Sequence, residues 1–152
     1  MTQVSSPDQT NSVVLAHRER RSAGTARLAD YVALGKPRIT AMVVLAVYAG
    51  FALGIGRAPW SWLTLAAALC GTALCCMAAA ALNQLCERQT DALMERTRNR
   101  PLPAGRLTNL EALLASLGFA AVGTGVLCVL CHWLAAVAAT FTILSYVLIY
   151  TP

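Results

Sequence analysis

The chain has 152 residues, 57% of them hydrophobic and only 12% charged, with a net charge of +5. A soluble domain carries about 25% charged residues, so half that value excludes an ordinary soluble fold and points to a membrane protein. The basic residues flank apolar stretches and no soluble binding module is visible, which excludes a nucleic-acid-binding protein.

The charges are segregated: nine lie in residues 1–38, one at Arg57, eight in residues 86–106 and one at Glu111. Residues 1–30 are polar, carry Arg18, Arg20, Arg21 and Arg27, and read as a disordered cytoplasmic arm. The apolar patch at 13–16 is too short for the core of a signal peptide. A mitochondrial transit peptide would be equally Arg-rich, but Asp8, Glu19 and Asp30 argue against one.

Four apolar stretches follow, at 39–55, 60–85, 109–130 and 132–150. Each is close to the roughly 17–25 residues that cross a bilayer. The expected fold class is therefore all-α, a polytopic transmembrane helical bundle of about four spans. Pro37 suits the first turn of span one, where its missing N–H costs nothing. A short turn at 56–59 leads to span two, a long charged loop at 86–106 leads to span three, and Cys131-His132 joins spans three and four. Alanines at 78–81 and Gly118, Gly123 and Gly125 are small enough to let helix backbones approach closely in lipid. Trp60, Trp62 and Trp133 fall at one membrane face and read as an interfacial belt. Four spans put both termini and the 86–106 loop on one side, with eleven of the twelve Lys/Arg residues. The positive-inside rule makes that side cytoplasmic. The last residues, Tyr150-Thr151-Pro152, carry no polar tail, which reads as a fragment or an early stop.

The chemistry-bearing pattern sits where span two ends. Asn83, Glu87 and Asp91 recur every four residues. On one helix such residues share a face. Carboxylates aligned where a buried helix meets water can hold a hard divalent cation. Arg96, Arg98 and Arg100 come immediately after, and arginines hold phosphate oxygens well. The pattern suggests a site for a metal-bound diphosphate at a membrane surface. The bland alternative is a solvated loop whose charges pair at i,i+4 and anchor the span ends to headgroups.

The string Asn83…Glu87…Asp91-x-x-Met94-x-Arg96-Thr97-x-x-Arg100-Pro101-Leu102 closely resembles the first signature of the protohaem IX farnesyltransferases, which are UbiA-like intramembrane prenyltransferases. Lys36-Pro37-Arg38-Ile39-Thr40 and the closing Tyr150-Thr151-Pro152 resemble the same family, so the likeness runs from about residue 30 onward. The resemblance implies a larger helical bundle, of which this chain looks like the N-terminal part, with a cytoplasm-facing cavity and a second acidic motif that has no counterpart in these residues. Asn83, Glu87 and Asp91 look like the first metal–diphosphate motif, binding Mg²⁺. Glu87 stands where many relatives have Asp. Arg96 and Arg100 look like the diphosphate-side arginines. Lys36 and Arg38 are candidates for the same rim or for plain headgroup anchoring.

The implied substrates are farnesyl diphosphate and protohaem IX, in a bacterial inner membrane, with a mitochondrial inner membrane as the alternative location. Haem A synthase or oxidase assembly factors are the partners such an enzyme implies. On this reading 152 residues alone are inactive. Two rivals stay open: a related prenyltransferase with an aromatic or quinone-precursor acceptor, and a non-catalytic four-span assembly protein. Cys128-x-x-Cys131-His132 matches a covalent haem-attachment pattern. It lies at a span junction with no soluble domain to enclose a haem, and the other cysteines read as small buried hydrophobes.

Overall fold

The computed structural model describes residues 27–54 and 61–150. Every regular element among them is helical. We label them α1 (27–34), α2 (Pro37–Gly54), α3 (Trp62–Cys86), α4 (Arg88–Leu93), α5 (Asn109–Leu130) and α6 (Trp133–Ser145), the last continued by a π-helical turn, Tyr146–Tyr150.

Helices α2, α3 and α5 are long and apolar enough to cross a membrane, and the shorter apolar run Trp133–Ile149 follows. The boundaries are set by caps. Ser61 accepts a hydrogen bond from the Thr64 N–H and starts α3. Thr108 and Glu111 form a reciprocal capping box at the start of α5, satisfying two N–H groups that the helix leaves unpaired. His132 starts α6 by accepting the Leu134 N–H on its ring Nδ1. That capping role is what the structure gives His132 at the end of the Cys-x-x-Cys-His run. Among the described residues the cysteines are free thiols.

The helices fall on the apolar stretches read from sequence: α5 has the same bounds, α2 begins two residues earlier, α3 ends one residue later, and α6 with its π-helical turn covers 133–150. Ile55 and Trp60 lie outside the described residues, as do residues 1–26. Residues 27–30, expected to be disordered, are helical. They open α1, whose Tyr31 and Leu34 pack into the core, and whose Asp30 pairs with Arg106 at 2.8 Å.

Consecutive long helices run antiparallel, which leaves α6 parallel to α3. At one end Gln84 of α3 reaches Leu34 of α1, and Thr40 of α2 reaches Cys76. At the other end Cys131 lies against the Thr64 carbonyl. Helices α3 and α5 form the central pair, and they touch backbone to backbone. A Cβ on Gly123 would stand 2.9 Å from the Gly71 carbonyl oxygen and 3.0 Å from the Cys75 nitrogen. Two apolar clusters result. One, around Cys75, Ala78, Leu127, Ala136 and Ile143, fills the middle. The other joins Leu34, Ala81 and Ala112 to Leu102 and Leu107 of the 94–107 segment, beneath the charged end. Large apolar residues face outward along α2 and α5, among them Met42, Leu45, Leu117 and Val129. Such surfaces suit lipid contact.

Candidate functional site

The acidic series straddles a break between two helices. Helix α3 ends at Cys86, Glu87 caps both elements, and α4 begins at Arg88. The four-residue spacing survives the break, because Glu87 N–H donates to the Asn83 carbonyl at 2.9 Å and Asp91 N–H to that of Glu87 at 2.8 Å. The three residues therefore stay aligned, as their spacing predicts, although they do not share one helix.

Their side chains are already engaged. Asn83, fully buried, donates its amide to Glu87 Oε2 at 2.7 Å. Asp91 is 4% exposed and takes Arg100 Nη1 on Oδ2 at 2.5 Å. Burying a carboxylate without a partner is costly, and Arg100 removes much of that cost. The loop is built to bring Arg100 there. Thr97, buried, donates to the Asp91 carbonyl at 2.9 Å and turns the chain back over α4. Leu102 and Leu107 anchor the far side in the core, and Arg106 ties the loop to Asp30 and to the Asn99 carbonyl. The segment is thus a folded cap and not the solvated loop of the bland alternative.

Lys36 joins this cluster from α1–α2. Its pKa is lowered, first by burial and then by the Arg100 charge, while Glu87 and Asp91 pull it back up. Those charges place Lys36 in the same electrostatic neighbourhood as the acids, with Arg96 contributing from an exposed position. Lys36 also has φ of 48°, a left-handed conformation that costs a non-glycine residue about 1–3 kcal/mol. It stands at the rim of a cavity of about 380 Å³ between α2, α3 and α6, lined by apolar groups such as Ile39, Val43, Ala79 and Ile143, with Tyr146 at the α6 end.

The structure thus pairs Asn83 with Glu87 and Asp91 with Arg100, and Lys36 and Arg96 lie within electrostatic reach of them. It does not bring in Arg38, which is exposed on the first turn of α2, or Arg98, which pairs with exposed Glu95 at 3.5 Å. The sequence reading missed Gln84 and Thr97. Two adjacent amides, Asn83 and Gln84, in an otherwise apolar run were the available signal for the first.

No group of three or more His, Cys, Asp or Glu side chains able to hold a metal occurs among the described residues. Two carboxylates, Glu87 and Asp91, are nevertheless what a magnesium–diphosphate site requires. Mg²⁺ is usually held by one or two carboxylates together with substrate phosphates, with water completing its shell. Lys36, Arg96 and Arg100 are cations of the kind such a site would need for the remaining phosphate charge.

Residues 43–152 match the UbiA prenyltransferase family. The chain belongs to that family. It is 41% identical over 147 residues to a protoheme IX farnesyltransferase of Rhodopseudomonas palustris strain BisB5, covering 93% of this chain and 44% of the relative. It is 42% identical over 134 residues to the enzyme of that name from Symbiobacterium thermophilum, covering 88% and 44%. It is 38% identical over 122 residues to that of Thioalkalivibrio sulfidiphilus, covering 80% and 40%. This UbiA-family chain therefore spans less than half the length of these curated relatives. No solved structure matches it. Family membership agrees with the multi-pass, all-α architecture and with the resemblance carried by residues 83–102.

Proposed function

We propose that this chain carries a diphosphate-binding site for transfer of a farnesyl group from farnesyl diphosphate to a vinyl group of protohaem IX, giving haem O. One observation supports this above the others. The pairs Asn83–Glu87 and Asp91–Arg100 share an electrostatic neighbourhood with Lys36, and Lys36 lines an apolar cavity, in a chain about 40% identical to protoheme IX farnesyltransferases. A diphosphate needs the charged end, and a prenyl chain needs the apolar one.

In this reading Glu87 and Asp91 hold Mg²⁺, with Asn83 orienting Glu87. The metal, when bound, neutralises charge building on the leaving diphosphate. Arg100, Arg96 and Lys36 do the same from fixed positions, where a preorganised charge costs no reorganisation during reaction. The allylic C–O bond breaks and its electron pair leaves with the diphosphate. The terminal vinyl carbon then bonds to C1 of the farnesyl group. Water adds to the carbon beside the macrocycle and loses a proton, leaving the hydroxyl. Arg38 is an anchor to lipid headgroups. The site works from the cytoplasmic side of a bacterial inner membrane, where eleven of the twelve basic residues gather in a four-span arrangement.

The test is haem extraction and chromatography from a host without its own synthase. The 152 residues alone should yield no haem O, since one acidic helix end cannot enclose the diphosphate or keep water from an allylic cation. Supplying a second acidic motif from a co-expressed family segment should yield some. Haem O from the 152 residues alone would contradict the one-sided site. A prenylated aromatic product in its place would contradict the acceptor.

A further inference from the structure

The turn between α1 and α2 is held in every backbone carbonyl. Gly35 N–H serves Tyr31 and Val32 at 3.3 and 3.1 Å, and Lys36 N–H serves Ala33 at 3.2 Å. Ile39 and Thr40 N–H groups serve Lys36 at 3.0 and 3.2 Å. The two carbonyls between them, Leu34 and Gly35, would be left over by a helix end. Side chains take both. Gln84 Nε2 donates to Leu34 at 2.7 Å from fifty residues away, and Thr40 Oγ1 donates to Gly35 at 2.9 Å. Gly35 is pressed against Met77, where a Cβ would lie 2.8 Å from Met77 side-chain carbons. Nothing about this turn is loose, and Lys36 is its strained residue, at φ 48°.

Gln84 is an odd choice for the task if packing alone is at stake. It is 1% exposed, and its Oε1 has no hydrogen-bond partner among the described residues. An unpaired buried acceptor costs about 1–3 kcal/mol, which an apolar residue of the same size would avoid. The sequence keeps the amide, and what the amide does is hold Leu34. Lys36 is also the sole lysine in the chain; the other eleven basic residues are arginines.

We propose that Gln84 and Thr40 are positioning residues that clamp the α1–α2 turn and thereby fix the position of Lys36, whose side chain lines the apolar cavity between α2, α3 and α6. The role of Lys36 as a diphosphate ligand rests on the function proposed above. The clamp itself does not.

A single lysine makes the test clean. Reductive methylation with ¹³C-formaldehyde gives the chain in lipid nanodiscs one dimethyl-lysine NMR signal, distinct from that of the amino terminus. In the ligand-free protein this signal should stand apart from its position in the unfolded chain. Gln84→Leu and Thr40→Val should each move it toward that position, and Thr40→Ser, which keeps the hydroxyl, should not. Each variant is checked for an intact thermal transition. A signal that stays put in both Gln84→Leu and Thr40→Val overturns the clamp.

Inorganic diphosphate with Mg²⁺ is then titrated in. Losing one hydrogen bond's worth of positioning should weaken binding about tenfold in Gln84→Leu. Lys36→Met should lose a similar amount, and the double variant should bind no more weakly than Lys36→Met alone. Multiplied losses in the double variant would show that Gln84 acts independently of Lys36 and would overturn the positioning role. A wild-type signal indifferent to diphosphate, with the ligand-free differences intact, would instead overturn the diphosphate reading and leave the clamp standing.

Discussion

The sequence offers Arg100 as a candidate phosphate-binding arginine, and its partner in the folded chain is Asp91, nine residues earlier. Sequence spacing could not show that pairing, because it depends on the turn that Thr97 makes over α4. The pairing has an energetic consequence. The Asp91 side chain is 6% exposed and that of Arg100 is 26% exposed. Removing the guanidinium leaves a buried carboxylate alone, whereas removing both charges does not. Arg100→Met should therefore destabilise the folded chain by about 2–4 kcal/mol, a little under the range for fully buried pairs. Asp91→Asn combined with Arg100→Met should recover at least half of that loss. Unfolding in mixed detergent micelles reads both, and equal stability of the two variants would mean that the ion pair contributes little.

At the level of elements, the long helices were written in the hydropathy of the chain, and α5 even in its caps: Thr108-x-x-Glu111 is a capping box that signals where the helix begins. Which glycines matter was not. Gly118, Gly123 and Gly125 look alike in sequence, yet only Gly123 meets another backbone. Gly118 and Gly125 have nothing within 4 Å of where a Cβ would stand. The difference comes from which side of α5 faces α3, and a helix apolar all round carries no such information. Gly123→Ala should force α3 and α5 apart and cost about 1–3 kcal/mol, the usual range for overpacking. Gly118→Ala and Gly125→Ala should be neutral or slightly stabilising, since alanine is the better helix former. A thermal series in detergent checks all three, and equal effects would mean that the Gly71–Gly123 approach is not a real constraint. The 94–107 cap was equally hidden: its charges also allow a solvated loop, and nothing in sequence marks Leu102 and Leu107 as the residues that pin it down.

For the whole molecule, the all-α membrane architecture was legible from segregated charge and long apolar runs alone. The site was legible as a set of residues and less so as an arrangement, because Arg38 and Arg98 share the basic clusters but not the cluster in space. Orientation follows from the same charge asymmetry. Reporter fusions at Gly54 and at Ala104 should report opposite sides, with Ala104 in the cytoplasm. Both on one side would break the proposed topology. The central claim is that Glu87 and Asp91, with Lys36 and Arg100, form a magnesium-dependent diphosphate site. Calorimetric titration of farnesyl diphosphate into the chain in lipid nanodiscs, with and without Mg²⁺, tests it most directly. The account predicts binding that needs Mg²⁺ and falls at least tenfold in Asp91→Asn. Binding of equal strength without the metal, or unchanged in Asp91→Asn, would contradict it.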